Sequence, residues 1–424
     1  MQNRFSKQLY VGILMILAIF AAPRALNGQT AGESGPTNVD FGKSLAAPYK
    51  PTKKSKRVKS GSNSQRLIPV ANVSAEPEET VRIDTTLVIN DVRVLDKRGD
   101  VVSGLRASDF TISEDDSPQE ISIFSLGGDQ DGIPKSIILI IDYSFSQLPY
   151  IETSIDAAKF LVDKLNPRDR MAIVSDDVML LTNFTTDRSL LKEKLENLKR
   201  SALSGKVGKS KQYCALMASI KELFREGDLR PIIIFQTDGD ELMRLKRAGA
   251  DPRLGMVETD NIGFSYKDVL AAAEGVGAVV YSVIPGTKYI GKSSDETEKS
   301  SREEIMGARQ ASAKIRNEKF EPDKMKVLPT FIRQWSNARK RDQLAIAEVA
   351  SVTGGWAEHL ETPEQADAVY SRILAGMNSR YVIGYYPSNQ ARDGSQRSIK
   401  IKIRGSRGYT IWGRQTYIAP LDPE

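Results

Sequence analysis

Ser136-Ile137-Ile138-Leu139-Ile140-Ile141-Asp142-Tyr143-Ser144-Phe145-Ser146 is the stretch that decides the fold. Its first six residues hold five aliphatic side chains in a row, with no polar alternation. Such a run reads as a strand buried on both faces, as in a parallel sheet covered by helices. Downstream, Ile151, Ile155, Ala158, Leu161, Val162 and Leu165 recur at helical spacing. A strand follows at 171–174, paired with 178–181, then an amphipathic helix at 189–199 and another helix at 214–224. Pro231-Ile232-Ile233-Ile234-Phe235 is a second buried strand. Helix at 266–274, strand at 278–284 and helices at 341–352 and 366–377 continue the rhythm. Repeated β-α units of this kind predict an α/β fold with a doubly wound, mostly parallel sheet. Residues 286–340 break the pattern. They are highly charged, with a helical segment at 301–319 and a second from 329, and read as an insertion in the α/β domain.

Ligands of open α/β sheets sit beyond the carboxyl ends of the strands. The first buried strand ends there in Asp142, Ser144 and Ser146, one carboxylate and two hydroxyls on alternate residues of one loop. The second ends in Thr237-Asp238-Gly239-Asp240. Hard oxygen donors of this kind suit Mg²⁺, which keeps several waters in an octahedral shell. The plainer reading makes Asp142 and Asp238 turn residues and lets Ser144 or Ser146 cap the next helix. Other chemistries have little to work with. The chain holds one cysteine, Cys214, and one histidine, His359, which excludes an internal disulfide and a thiolate zinc site. His359 has no nucleophile signature beside it. Gly205-Lys206-Val207-Gly208-Lys209-Ser210 looks like a phosphate loop, but Leu203 stands where a Walker motif needs glycine, and no buried strand precedes it. Nucleotide binding is therefore not expected.

The D-x-S-x-S after one buried strand and the T-D-G-D after another resemble the von Willebrand factor A (VWA) family and its metal-ion-dependent adhesion site. The flanks sharpen the likeness. Asp109-Phe110, Glu114-Asp115 and Pro118-Gln119 before the domain, and Tyr381-Val382-Ile383-Gly384-Tyr385-Tyr386-Pro387 after it, resemble the VWFA-related proteins typical of Acidobacteria. The resemblance implies a binding protein rather than an enzyme. It implies Mg²⁺, with Mn²⁺ or Ca²⁺ as substitutes, held by Asp142, Ser144, Ser146 and Asp238, with one coordination position open to an Asp or Glu of a protein partner. One element departs from the pattern. The family's threonine at the head of a helix corresponds to Cys214, and a protonated thiol is a poor ligand for Mg²⁺. That departure keeps a second reading open, a metal-free scaffold with a degenerate site. A metal-assisted hydrolase is a third, with no histidine or second metal cluster to support it.

The ends of the chain carry other signals. Arg4 and Lys7 precede a fourteen-residue apolar run, Leu9 to Ala22. That run makes about 21 Å of helix, short of a roughly 30 Å hydrocarbon core. It reads as a signal peptide, 1–28, and an extracytoplasmic location follows, periplasmic or secreted. Membrane attachment is expected only through an uncleaved leader. Residues 29–79 read as a disordered basic linker, and its lysines account for much of the net charge of +6. Nucleic acid is not an expected partner of an exported protein. Residues 80–126 and 380–420 alternate as short strands, each too small to stand alone. They are expected to pair into one small antiparallel sandwich flanking a VWA domain at 134–378.

Overall fold

The strands before the α/β domain are Val88–Leu95 (β1), Phe110–Glu114 (β2), Ser117–Gln119 (β3) and Ile123–Leu126 (β4). Each is short and bounded by turn residues, as at Asp96-Lys97-Arg98-Gly99-Asp100. The computed structural model describes residues 41, 45, 87–129, 132–224, 230–239, 266–322, 329–405 and 408–421. All of these fall within one compact unit, Asp40–Glu424. The expected leader, and the expected linker apart from Phe41 and Leu45, lie outside the described residues, as does Asp240.

The α/β domain runs through Ser136–Ile141 (β5), Ile151–Lys164 (α1), Arg170–Ser175 (β6), Met179–Thr185 (β7), Arg188–Leu203 (α2) and Gln212–Glu222 (α3). It continues through Pro231–Gln236 (β8), Tyr266–Val276 (α4), Val279–Pro285 (β9), Ser294–Ile315 (α5), Pro329–Val352 (α6), Ala357–Leu360 (β10) and Ala366–Asn378 (α7). Its sheet has six strands in the order β10-β9-β8-β5-β6-β7. The first five strands of that order are parallel, and β7 returns antiparallel as a hairpin on β6.

Successive side chains of a strand point to opposite faces, so β5 feeds two cores. Ile137, Leu139 and Ile141 pack under α1, α2 and α7, with Ile155, Leu195 and Ile373. Ile138 and Ile140 pack under α3, α4 and α6, with Leu216, Val269 and Ile346. Burial on both faces is why this strand shows no polar alternation. The arrangement is a mixed α/β fold, a six-stranded, mostly parallel sheet between two helical layers.

Two differences from expectation concern the middle of the domain. The second helix of the charged stretch and the helix at 341–352 are one 24-residue helix, α6. Pro329 occupies its first position, where a missing N–H costs nothing, and no glycine or further proline interrupts it. The charged stretch therefore has no boundary at 340. The strand β10 had no sequence signal, being four residues of mixed polarity, Ala-Glu-His-Leu, paired among the described residues only with β9.

After α7 come Tyr381–Tyr385 (β11), Gln396–Ile403 (β12), Thr410–Trp412 (β13) and Thr416–Ile418 (β14). They interleave with the early strands in two four-stranded antiparallel sheets, ordered β13-β1-β11-β4 and β14-β12-β2-β3. One apolar cluster draws on both, including Val92, Phe110, Ile112, Tyr381, Ile383 and Ile399. Arg230, just before β8, joins this region to the α/β domain. Its guanidinium bonds the Asp91 carboxylate of β1 at 3.0 Å and donates to the carbonyls of Gly127, Ile133 and Met377.

Candidate functional site at the carboxyl ends of the strands

Asp142 and Asp238 follow two neighbouring strands, β5 and β8, whose parallel register brings Ile141 beside Gln236. The ladder extends past both, with the Asp142 N–H donating to Gln236 O at 3.0 Å. The two carboxylates therefore meet at one edge of the sheet. Gly239 closes the turn after Asp238 with φ +77°, and a Cβ there would lie 2.7 Å from Ile346 Cδ1 of α6. Only glycine admits both the left-handed backbone and the helix packed on top.

Every oxygen of Asp142 is engaged by protein donors. Oδ1 accepts the Ser144 N–H at 2.9 Å. Oδ2 accepts Gln212 Nε2 at 2.7 Å and Thr237 Oγ1 at 2.9 Å. The Ser144 and Ser146 hydroxyls lie 3.2 Å apart and bond each other. A 3-10 turn, Phe145–Gln147, follows, and Gln147 Nε2 reaches across to Asp238 Oδ2 at 2.6 Å. The same oxygen accepts Arg339 Nη2 from α6 at 3.0 Å. Arg339 also bonds Glu304 of α5, through Nε at 3.1 Å and Nη2 at 2.9 Å, and lies 4.8 Å from the centre of the Trp335 ring.

Burial, and next the charge of Asp238, push the Asp142 carboxyl up to about 6, against the hydrogen bonds of Ser144 and Gln212 that pull it down. Asp176, at the end of β6, is raised well above the usual carboxylate range by burial and then by Asp142. Two backbone N–H groups, of Tyr143 and Ser210, donate to it. Gly208 packs so closely on this carboxylate that a Cβ would sit 2.0 Å from Oδ1, and its N–H donates to Tyr143 O. The glycine-rich stretch 205–210 is thus a wall of the site, laid against the D-x-S-x-S loop.

The structure brings Asp142, Ser144, Ser146 and Asp238 together and leaves Cys214 apart. Gln212 and Cys214 are two residues apart on α3, about 200° around the helix axis. With the Gln212 amide on Asp142, Cys214 faces the buried apolar cluster that holds Ile140 and Phe235. His359 lies on β10, two strands from β8, with its imidazole depressed by burial and then by Lys288. Sequence reasoning missed Gln212, Gln147, Thr237, Arg339 and Glu304. Thr237 alone carried a signal, standing next to Asp238; the other four are joined to the site only by folding.

As placed, these donors do not fit a divalent ion. Asp142 has both oxygens taken, Asp238 carries a guanidinium, and the serine hydroxyls face each other. Among the described residues no group of three or more His, Cys, Asp or Glu side chains is arranged to hold a metal. Among them, too, no helix is long and apolar enough to cross a membrane.

No protein-family model matches the chain, and no curated protein matches it. Solved structures do. Proximal thread matrix protein 1 from the mussel byssus is 12% identical over 57% of this chain and 48% of its own, with a TM-score of 0.32. This chain thus spans about half the length of that protein. The vWF domain of the type V pili tip protein Mfa5 from Porphyromonas gingivalis is 12% identical over 50% of this chain and 96% of its own, with a TM-score of 0.29. Manganese-loaded TRAP protein of Plasmodium vivax is 10% identical over 74% of this chain and 100% of its own, with a TM-score of 0.27. Likeness this distant leaves the fold to rest on the sheet order and the two helical layers.

Proposed function

We propose that this chain is a non-enzymatic protein-interaction domain, exported from the cytoplasm, that meets its partner at the carboxyl-end loops of its six-stranded sheet. The observation that carries the reading is the convergence of Asp142 and Asp238 beneath a partly exposed serine loop, at the edge where open α/β sheets bind ligands. Catalysis fits less well. The two serine hydroxyls bond each other, and His359 lies on β10, three strands from the β5 that leads into the serine loop. An ion bridging to a partner's Asp or Glu is the finer form the VWA resemblance implies. The donor arrangement does not support it in this state, because Asp142 and Asp238 already have internal partners.

The test uses Ser146, which is partly exposed and touches neither carboxylate. A protein partner isolated by cross-linking to the mature chain is assayed by surface plasmon resonance against wild type and Ser146→Arg, in chelator and in Mg²⁺. The expected result is partner binding that survives chelator and weakens at least roughly tenfold in Ser146→Arg, about the loss of one well-placed contact. Unchanged affinity in the variant would remove the loop from the interface and sink the reading.

A further inference from the structure

We propose that Arg339 is the resident cation of the acidic site, standing in place of a divalent ion and making the α5–α6 hairpin part of the binding apparatus. This rests on the reading of Asp142 and Asp238 as the functional site.

Two carboxylates side by side and out of water require a compensating positive charge. The Arg339 guanidinium, whose side chain is 4% exposed, is a cation bonded to Asp238. Its fork is divided between two anions from different elements, Asp238 after β8 and Glu304 on α5. A planar donor array of this kind suits carboxylates better than a lysine point charge would.

The placement is set by the core rather than by surface chance. Ile346 and Val349, about two and about three turns further along α6, are wholly buried under the sheet. Ile346 also rests on Gly239, the residue after Asp238. An unbroken helix therefore holds Arg339 at a fixed height above the Asp238 turn. On the α5 side, Tyr289 Oη donates to Glu304 at 2.6 Å, while Gln343 of α6 accepts the Tyr289 N–H at 2.9 Å. Ser301 and Ser336 join the two helices at 2.6 Å. The charged stretch that reads as an insertion is thus a roof, and its arginine supplies positive charge from inside.

The consequence is a site that excludes divalent cations while Arg339 is in place and accepts them when it is removed. The full chain without its leader is titrated with Mn²⁺ by calorimetry, with electron paramagnetic resonance as a second readout. Wild type is expected to show no saturable binding. Arg339→Gln is expected to bind Mn²⁺ about a hundredfold to a thousandfold more tightly than wild type, the effect of removing one unit charge a few ångströms away. Arg339→Gln/Asp238→Asn is expected to lose that gain. Because the single variant strips a buried pair, Arg339→Leu/Glu304→Leu is measured beside it, removing both charges of that contact together. A variant that folds only when Mn²⁺ is added supports the proposal by its melting temperature.

Saturable Mn²⁺ binding to wild type that Asp142→Ala abolishes overturns the proposal. So do folded variants that bind no ion, and variants that stay unfolded with Mn²⁺ present. The titration reads the ion alone, so it can fail while the Ser146→Arg result stands, and the reverse.

Discussion

Strand β8 has a buried arginine–aspartate contact at each end, and the two are built differently. At its amino end Arg230, with a side chain 1% exposed, bonds Asp91 and three backbone carbonyls drawn from three separate segments. Gly127 lies so close that a Cβ there would sit 2.3 Å from Met377 O and 2.9 Å from Arg230 Nη2. At the carboxyl end Arg339 bonds the side chains of Asp238 and Glu304, beside the Trp335 ring. Backbone carbonyls cannot move without moving the strands and helices that carry them. Carboxylates can swing on their own χ angles. The first contact therefore fixes the junction between the α/β domain and the flanking sheets. The second closes a site and can in principle be exchanged.

The largest expected effect separates the two arginines directly. Arg230→Gln should cost about 3–5 kcal/mol, since it leaves Asp91 buried without its charge partner and strips donors from three carbonyls. Arg339→Gln should cost roughly half as much, because Glu304 is partly open to water and can be resolvated. Urea unfolding of both variants checks this, and equal losses would dissolve the distinction.

A second measurement sharpens the electrostatic side. The folded-state pKa of Asp142 lies above its unfolded value, about 6 against 3.8. The fold therefore favours the protonated acid. The resulting stability is fully present below the unfolded value and is lost as pH rises through about 6. Compared with Asp142→Asn, wild type should gain about 2–3 kcal/mol between about pH 7 and about pH 4. Parallel pH profiles for the two proteins would place the excess acidity elsewhere.

The smallest effect concerns Cys214. Cys214→Thr should change stability by only about 1 kcal/mol, the scale of one hydroxyl placed in an apolar cluster with a helix carbonyl in reach. It should leave Mn²⁺ binding absent. A threonine that by itself restored saturable Mn²⁺ binding would mean that Arg339 never blocked the site, and the contrast between the two ends of β8 would fall.

Much of this molecule was readable before folding. The strand at Ser136–Ile141 and the helix beginning at Ile151 stand where the apolar pattern put them. So does the strand beginning at Pro231. Burial on both faces leaves a continuous aliphatic run, and burial on one helix face leaves a 3.6-residue period. The flanking strands were visible as alternation bounded by turns, and β10 was not, being a four-residue edge of mixed polarity.

For the candidate site the division is sharper. Asp142, Ser144, Ser146 and Asp238 were nameable because they directly follow strands that announce themselves, so position along the chain equals position at the sheet edge. The groups that neutralise and bond them were not, because no local pattern marks a partner far away in sequence. Gln212 is 70 residues from Asp142, and Arg339 is 101 residues from Asp238. The sequence by itself determined a layered α/β domain with acidic loops on one edge, since short-range periodicity reports which face each element buries. Only the tertiary structure decided what those acids hold, since the identity of a charge's neighbour depends on which distant elements pack across it.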